Sequence, residues 1–453
     1  MAGLTLDVVK ATFGSTDVRH EAALAETPLI TSARPPLTQV IGLLQVAREP
    51  LDYYRLQSQV RRQLFAAQSV AAEIGETIEA VNQQLKIAVG ACDGSRAEIQ
   101  HLQGQLAAHK LAERGCKALM HAFRVVADGI AWKTLRYDRA GIAVLGSGKR
   151  VGRLTDPEGL DMELREIASH WWMRGSFAIH NDLTNCLNTG DLTLPFEGER
   201  HVVVQEVKAG RSTRRAQTSA AERRIEFLQS GSGDDPTGCG PARMQRYAIP
   251  YRTHLSELRA LIAGGRARGY AHAQLSDAVL AVAVDPRVSQ GDPGIDTYCS
   301  HAQDQVGWGG ERDHLITNLS MIRRVTDRRY SFASLAPWSI FPLPAHDIAD
   351  LLLGPVEYLT FINAKRLEEA FSRHGIEAEV TLGSARIGSV FLRASRGTSE
   401  VTLPSLVRDQ VMTELMTVDC LIEAVEAMLD SIDADGAVGQ TLVAFAGEDQ
   451  VWA

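Results

Sequence analysis

The stretch that decides the fold is residues 177–224, FAIHNDLTNCLNTGDLTLPFEGERHVVVQEVKAGRSTRRAQTSAAERR. Residues 192–195 and the valine-rich residues 201–208 flank a short polar segment, FEGER, that has a glycine near its centre. A short apolar run before such a segment and a β-branched run after it are typical of two strands joined by a tight turn. The pattern therefore predicts a β-hairpin, with Asp191 entering its first strand and Glu206 near the end of its second.

Three charged side chains come together if this hairpin forms. Asp191 then lies close to Glu206 across the strand pair, although the sequence leaves the register open. Because side chains alternate along a strand, Glu206 and Lys208 point to one face and Val207 to the other. Carboxylate oxygens suit a hard divalent cation such as Mg²⁺. Such an ion lowers the pKa of a bound water and neutralises charge that builds on a phosphate, and Lys208 would hold the water or the phosphate beside it.

Asp191 followed fifteen residues later by Glu206-Val207-Lys208 resembles the motif of the PD-(D/E)xK nuclease superfamily, the restriction-endonuclease-like fold. The resemblance covers roughly residues 141–228 and departs from the motif at Gly190, where the family has Pro, a turn position that we expect to tolerate the change. It implies a metal-dependent phosphodiesterase on a small mixed sheet flanked by helices, with Mg²⁺ or Mn²⁺ as cofactor and DNA rather than RNA as the preferred partner. The local sequences Gly190-Asp191 and EVKAG at residues 206–210 also resemble those of nucleases from bacterial defence systems.

Two further candidates follow from the helices that flank the hairpin. Asp156-Pro157 predicts the start of a helix, and family members often place a metal-binding Glu on a helix before the Asp strand. Glu163 is our first choice for this role and Glu166 the second, although both are also compatible with an ordinary surface. After Lys208 the chain is basic and helical in character, and by analogy with the family Gln217 is the candidate polar side chain.

His180 and Asp182 lie just before the motif. His180 is a candidate general base and Asp182 a candidate second carboxylate. The alternative is a polar strand end that only positions the strand of Asp191, and this alternative is the favoured interpretation from sequence.

The whole chain has 453 residues, 45% hydrophobic and 23% charged, which indicates two or three globular domains. The formal net charge of −8 argues against wrapping of duplex DNA over a large surface, so nucleic-acid contacts are expected to be local. Six scattered cysteines without a CxxC pair give no zinc motif and favour the reduced thiols of a cytoplasmic protein. We see neither a signal peptide nor an apolar run long enough to cross a membrane.

Apolar residues recur at steps of three or four on both sides of a break at residues 92–95, which predicts two long helices in an antiparallel hairpin. We divide the chain into a helical arm (1–128), a nuclease-like core (129–300) and a C-terminal α/β region (301–453). The arm is either an intramolecular scaffold or a surface for self-association or for a partner protein.

Other elements are predicted with less chemistry attached. A loop is expected at residues 34–36, strands within 131–155, and a buried strand at 279–284 that would complete the sheet of the hairpin. Helices are expected at 363–374 and 406–432, and strands at 379–382 and 389–392.

The sequence thus predicts an α/β protein of restriction-endonuclease-like architecture that acts as a Mg²⁺-dependent nuclease. Asp191, Glu206 and Glu163 would bind the metal, and Lys208 would position the attacking water. The alternative is a non-catalytic assembly protein that retains the fold. The acidic charge and the large flanking regions favour it, whereas the presence of Asp191, Glu206 and Lys208 together argues against it.

Overall fold

The structure is a computed structural model. It describes residues 27–90, 95–146, 157–195, 202–207, 215–234, 241–285, 287–288, 295–311, 315–318, 336–382, 390–403, 410–435, 440–446 and 451.

The described chain is a mixed α/β protein. Its helices are α1 Pro28–Val46, α2 Pro50–Gly90, α3 Arg96–Thr134, α4 Arg139–Gly146, α5 Pro157–Arg174, α6 Arg215–Ser230, α7 Leu255–Arg268, α8 Ile295–Gln305, α9 Ala345–Leu353, α10 Ala364–Ser372 and α11 Val418–Asp435. Its strands are β1 Ile179–His180, β2 Leu192–Pro195, β3 Val202–Gln205, β4 Ser232–Asp234, β5 Pro241–Pro250, β6 Tyr270–Ser276, β7 Val279–Val284, β8 Leu315–Asn318, β9 Glu357–Asn363, β10 Glu377–Leu382, β11 Val390–Arg396, β12 Ser399–Leu403 and β13 Gln440–Ala446. None of the described helices combines the length and apolar character needed to cross a membrane.

These strands form separate small sheets in the order β1-β2-β3, β6-β7-β9-β8, β13-β5-β4 and β10-β11-β12. The sheet of the predicted hairpin is antiparallel throughout its described strands. β7 is fully buried as predicted, but it pairs with β6 and β9 rather than with the hairpin, so the expectation that it completes the hairpin sheet is wrong. Helix α3 continues through residue 128, the predicted end of the helical arm. The paired strands β7 and β9 come before and after residue 300 in the chain, the predicted end of the core. The domain division itself stays a prediction.

The helices α2 and α3 form the predicted hairpin. Ser95 caps α3, because its hydroxyl accepts a hydrogen bond from the backbone N–H of Glu98 at 3.1 Å. At one end of the pair Leu64 belongs to the main core together with Phe123, and at the other end Val81 packs in a small cluster with Leu102. Because Val81 lies late in α2 and Leu102 early in α3, the two helices run antiparallel. α2 alone has 41 residues and is therefore about 60 Å long.

Helix α1 passes through Pro35 and Pro36, where the sequence predicted a loop. Proline removes a backbone hydrogen bond and normally breaks a helix. Here the helix buries an apolar face, formed by Ile30, Leu37, Val40, Ile41 and Leu44. Packing of that face outweighs the two lost donors, because most helix stability in proteins comes from tertiary burial.

The strands predicted within 131–155 are wrong where the structure describes them. α3 continues to Thr134, and α4 covers 139–146. Both segments are buried on nearly all sides, including Trp132 at 0% exposure, so they lack the one-sided apolar period that identifies a helix. Residues 147–156 lie outside the described part of the chain.

The long helix predicted at 406–432 is shorter than expected. Leu415 has a φ of 57°, in the left-handed region that ends a helix, and Met416 forms a bridge with Thr253. The helix α11 starts after this interruption, at Val418. The predicted helix at 363–374 and the strands near 379 and 390 are present as α10, β10 and β11.

A buried ion pair connects distant parts of the chain. Arg139 of α4 contacts Glu414 through both terminal guanidinium nitrogens at 2.7 Å, and the two side chains are 3% and 0% exposed. Glu414 also accepts hydrogen bonds from the Tyr251 hydroxyl and from the Ala336 backbone N–H. The guanidinium lies over the rings of Trp132 and Tyr251 at 5.2 and 5.4 Å from their centroids.

Candidate functional site

The β2–β3 hairpin has the register that the candidate site requires. Leu192 is paired with Gln205, and the backbone N–H of Asp191 donates to the Gln205 carbonyl at 3.0 Å. Continuing this register by one residue places Asp191 across from Glu206. The turn of the hairpin, residues 196–201, lies outside the described residues.

Gly190 has a structural role that the sequence analysis underestimated. Its φ is 66°, and a Cβ at this position would lie 2.3 Å from Cγ1 of Val204. Proline fixes φ near −65°, so the residue that the PD-(D/E)xK motif places here would not fit. The departure from the motif is therefore a requirement of this turn, not a tolerated exchange.

Asp191 is a half-buried carboxylate in an acidic environment. Its Oδ2 accepts a 2.6 Å hydrogen bond from the backbone N–H of Val207. Burial is the largest influence on its pKa and raises it, the hydrogen bond lowers it, and the nearby charges of Glu206, Glu163 and Asp182 raise it further. The net result is an Asp191 pKa of about 6.

Helix α5 brings Glu163 to the same place. Its Oε2 lies 2.6 Å from Nε2 of His180, which is fully buried at the end of β1. Asp182 follows in a short 3-10 turn, and ligand atoms of Glu163, His180 and Asp182 lie within 4.8 Å of one another. The structure thus places His180 and Asp182 beside Glu163, and His180 also pairs with Leu192 next to Asp191, so both the direct and the positioning role stay predictions.

Glu166, the second choice on the same helix, has other contacts. Its Oε1 accepts a 3.0 Å hydrogen bond from Nε2 of Gln205 and lies 3.6 Å from Nε2 of His170. The His170 ring also bonds Oε1 of Gln205 at 2.9 Å. Gln205 immediately precedes Glu206, so Glu166 and His170 fix the end of β3 against α5.

Two predicted site residues lie outside the described part of the chain, one entirely and one through its side chain. Lys208 lies outside the described residues, and Gln217 belongs to α6 but its side chain lies outside the described part. Further along α6, Arg224 donates to the Thr189 hydroxyl at 3.2 Å, so this helix lies against the turn that leads into Asp191. Arg223 is exposed on the same helix.

Among the described residues, the ligand atoms of Glu163, His180 and Asp182 lie close enough together to share a metal ion, and the predicted ligands Asp191 and Glu206 are not part of this group. Asp191 is nevertheless near enough to feel the charges of Glu206, Glu163 and Asp182. Oxygen donors suit Mg²⁺, and an imidazole nitrogen is a good ligand for Mn²⁺ and other transition metals. Burial is the main cause of the raised pKa of Asp191, and repulsion from the neighbouring carboxylates adds to it; a divalent cation would relieve this repulsion. These donor types are compatible with a divalent cation, and the identity of the cofactor stays a prediction.

Comparison of the chain with protein-family models, with curated proteins and with solved structures gave no match.

Proposed function

We propose that this protein is a metal-dependent nuclease that hydrolyses phosphodiester bonds, with DNA as the preferred substrate and bacterial defence as its setting. The observation that supports this most directly is the acidic surrounding of Asp191: Glu206 follows the strand paired with that of Asp191, Glu163 comes from α5, and the charges of both add to the rise that burial causes in the pKa of Asp191. The restriction-endonuclease-like architecture is part of the same proposal.

Each residue has a role in this proposal. Asp191, Glu206 and Glu163 hold the metal, which when bound supplies an activated water and neutralises charge on the phosphate. His180 lies 2.6 Å from Glu163 and orients that carboxylate, and Asp182 adds a further carboxylate beside it. Lys208 positions the water or the phosphate, and Gln217 contacts the substrate from α6.

Metal binding tests the proposal before any substrate is known. Isothermal titration of the purified protein with Mn²⁺ should show saturable binding. Asp191→Ala should abolish this binding or weaken it by at least about 100-fold, because even substitution of a residue that only hydrogen-bonds to a metal ligand lowers metal affinity about 10–100-fold. Asp161→Asn is a matched control: Asp161 is an exposed acidic residue of the same helix as Glu163, paired with the exposed Arg165, and its substitution should retain the wild-type affinity. Equal binding by wild type and Asp191→Ala would contradict the assignment.

A second candidate function is assembly without catalysis. The observation that favours it is the helical hairpin, where Ile87 and Val89 are 65% and 63% exposed near the free end of α2. A nuclease-like fold that serves only for assembly should bind no metal at Asp191. The same titration therefore separates the two functions.

A further inference from the structure

The segment 178–186 carries His180 and Asp182. Polar side chains from both helices of the α2–α3 hairpin hold this segment in place. β1, within this segment, is the outer strand of its sheet, since the order is β1-β2-β3. An outer strand leaves a row of backbone donors and acceptors that other groups must satisfy when the strand is buried.

Gln57 of α2 satisfies that edge. Its Nε2 donates to the Ala178 carbonyl at 3.0 Å, and its Oε1 accepts from the backbone N–H of His180 at 2.9 Å. One amide side chain thus takes both bonds that a residue of a neighbouring parallel strand would take. Gln57 is 2% exposed, so this contact is shielded from water.

Helix α3 holds the rest of the segment. Nη1 of Arg124 donates to the backbone carbonyls of Asp182 at 2.6 Å and Thr184 at 3.1 Å. One turn further along, Oδ1 of Asp128 accepts from the backbone N–H groups of Asn185 and Cys186 at 2.6 and 3.0 Å. Its Oδ2 accepts from Nδ2 of Asn185 at 2.9 Å.

These contacts cost more to assemble than apolar packing would, because buried polar groups are stabilising only when they are paired. What these hydrogen bonds add is a defined geometry of the backbone. Each bond fixes a particular backbone atom, so the bonds from the hairpin determine where the His180 ring and the Asp182 carboxylate lie relative to Glu163.

We propose that Gln57, Arg124 and Asp128 are positioning residues of the metal site. Through these three residues, the part of the α2–α3 hairpin that packs in the main core holds His180 and Asp182 in place. This inference rests on the proposed function, since only that proposal makes the surroundings of Glu163 a metal site. It makes the hairpin part of the site rather than a separate arm.

The first measurement is amide hydrogen exchange, which needs no metal. In Gln57→Leu the His180 amide should exchange about tenfold faster, and in Asp128→Ala the Asn185 and Cys186 amides should do so, because each loses its acceptor. Gln59→Leu, two residues further along α2, makes the same chemical change away from the segment and should leave these rates unchanged. Unchanged rates in Gln57→Leu and Asp128→Ala would overturn the inference.

The second measurement is Mn²⁺ affinity, which a merely structural contact would not change. Gln57→Leu should weaken Mn²⁺ binding by about tenfold. Its effect should fall below about twofold when His180→Gln is already present, since substitutions that act through one group are not additive. Exchange that accelerates while Mn²⁺ affinity stays at the wild-type value would show a structural clamp only and overturn the positioning role.

The two proposals fail in different ways. If the wild-type protein binds no Mn²⁺, the nuclease proposal is wrong and the assignment of His180 and Asp182 as metal-site residues is wrong with it. The exchange rates then still show whether the hairpin orders residues 178–186. If the wild type binds Mn²⁺ and the positioning variants bind it equally well, only the present inference fails.

Discussion

Asp191 is a residue whose ionised form is disfavoured both by burial and by the charges of its neighbours. Its carboxyl is half-buried and near three other carboxylates, and a single backbone N–H, that of Val207, stabilises its charged form. The raised pKa is the kind of perturbation that clusters at functional sites, although ion-pair networks also produce it. In the proposed site, a proton and a metal ion would compete for the same oxygen atoms of Asp191.

This competition predicts a pH dependence of metal binding. With an Asp191 pKa of about 6, the carboxylate is ionised at pH 7.5 and about nine-tenths protonated at pH 5. Because a ligand must lose its proton to bind metal, Mn²⁺ affinity should fall about tenfold between these two values. Titration calorimetry at several pH values measures this, and an affinity that stays constant down to pH 5 would contradict the role given to Asp191.

At the scale of the element, the β2–β3 hairpin depends on the backbone of Gly190. Substitution by Ala places a Cβ 2.3 Å from Val204 in a left-handed conformation, and both effects should lower the free energy of unfolding, by about 1–3 kcal/mol in total. Chemical denaturation monitors the change.

Gly175 provides the matched control for this prediction. It has a φ of 61° but no atom within 4 Å of the position of a Cβ, so Gly175→Ala isolates the conformational cost. Gly190→Ala should be the more destabilising of the two. If both variants lose the same stability, the contact with Val204 has no energetic weight.

The β2–β3 hairpin and helix α5 before it were predictable because their sequence signals are local. A β-branched run after a glycine-centred turn, and Pro157 at the start of an amphipathic helix, each act within a few residues. The helical state of residues 131–134 and 139–146 was not predictable, because burial on all sides removes the periodicity.

The residues that hold the site were invisible for a different reason. Gln57 lies 121 residues before Ala178, its bonding partner, and Arg124 lies 58 residues before Asp182. Each is an unremarkable polar residue of a long helix, and only the tertiary fold brings it to the loop. His180 and Asp182 were noticed from sequence, but their proximity to Glu163 depends on how α5 packs against β1.

At the scale of the whole molecule, the Arg139–Glu414 pair ties α4 to the segment before α11. Removal of the cation leaves Glu414 charged and buried, so Arg139→Ala should cost about 3–5 kcal/mol of stability. The exposed pair of Arg393 and Glu400, 2.7 Å apart, is the control, because exposed ion pairs add little stability and Arg393→Ala should leave the melting temperature close to that of wild type. Similar melting temperatures for the two variants would refute this account of the ion pair.

The central claim is metal-dependent hydrolysis of nucleic acid at Asp191 and Glu206, and a cleavage assay tests it most directly. Supercoiled plasmid, linear duplex DNA, single-stranded DNA and RNA are incubated with Mg²⁺ or Mn²⁺ and either the wild-type protein or Glu206→Gln. The account predicts metal-dependent cutting, of DNA in preference to RNA, that Glu206→Gln lowers by at least about 100-fold while its melting temperature stays close to that of wild type. Cutting by Glu206→Gln at the wild-type rate would contradict the account.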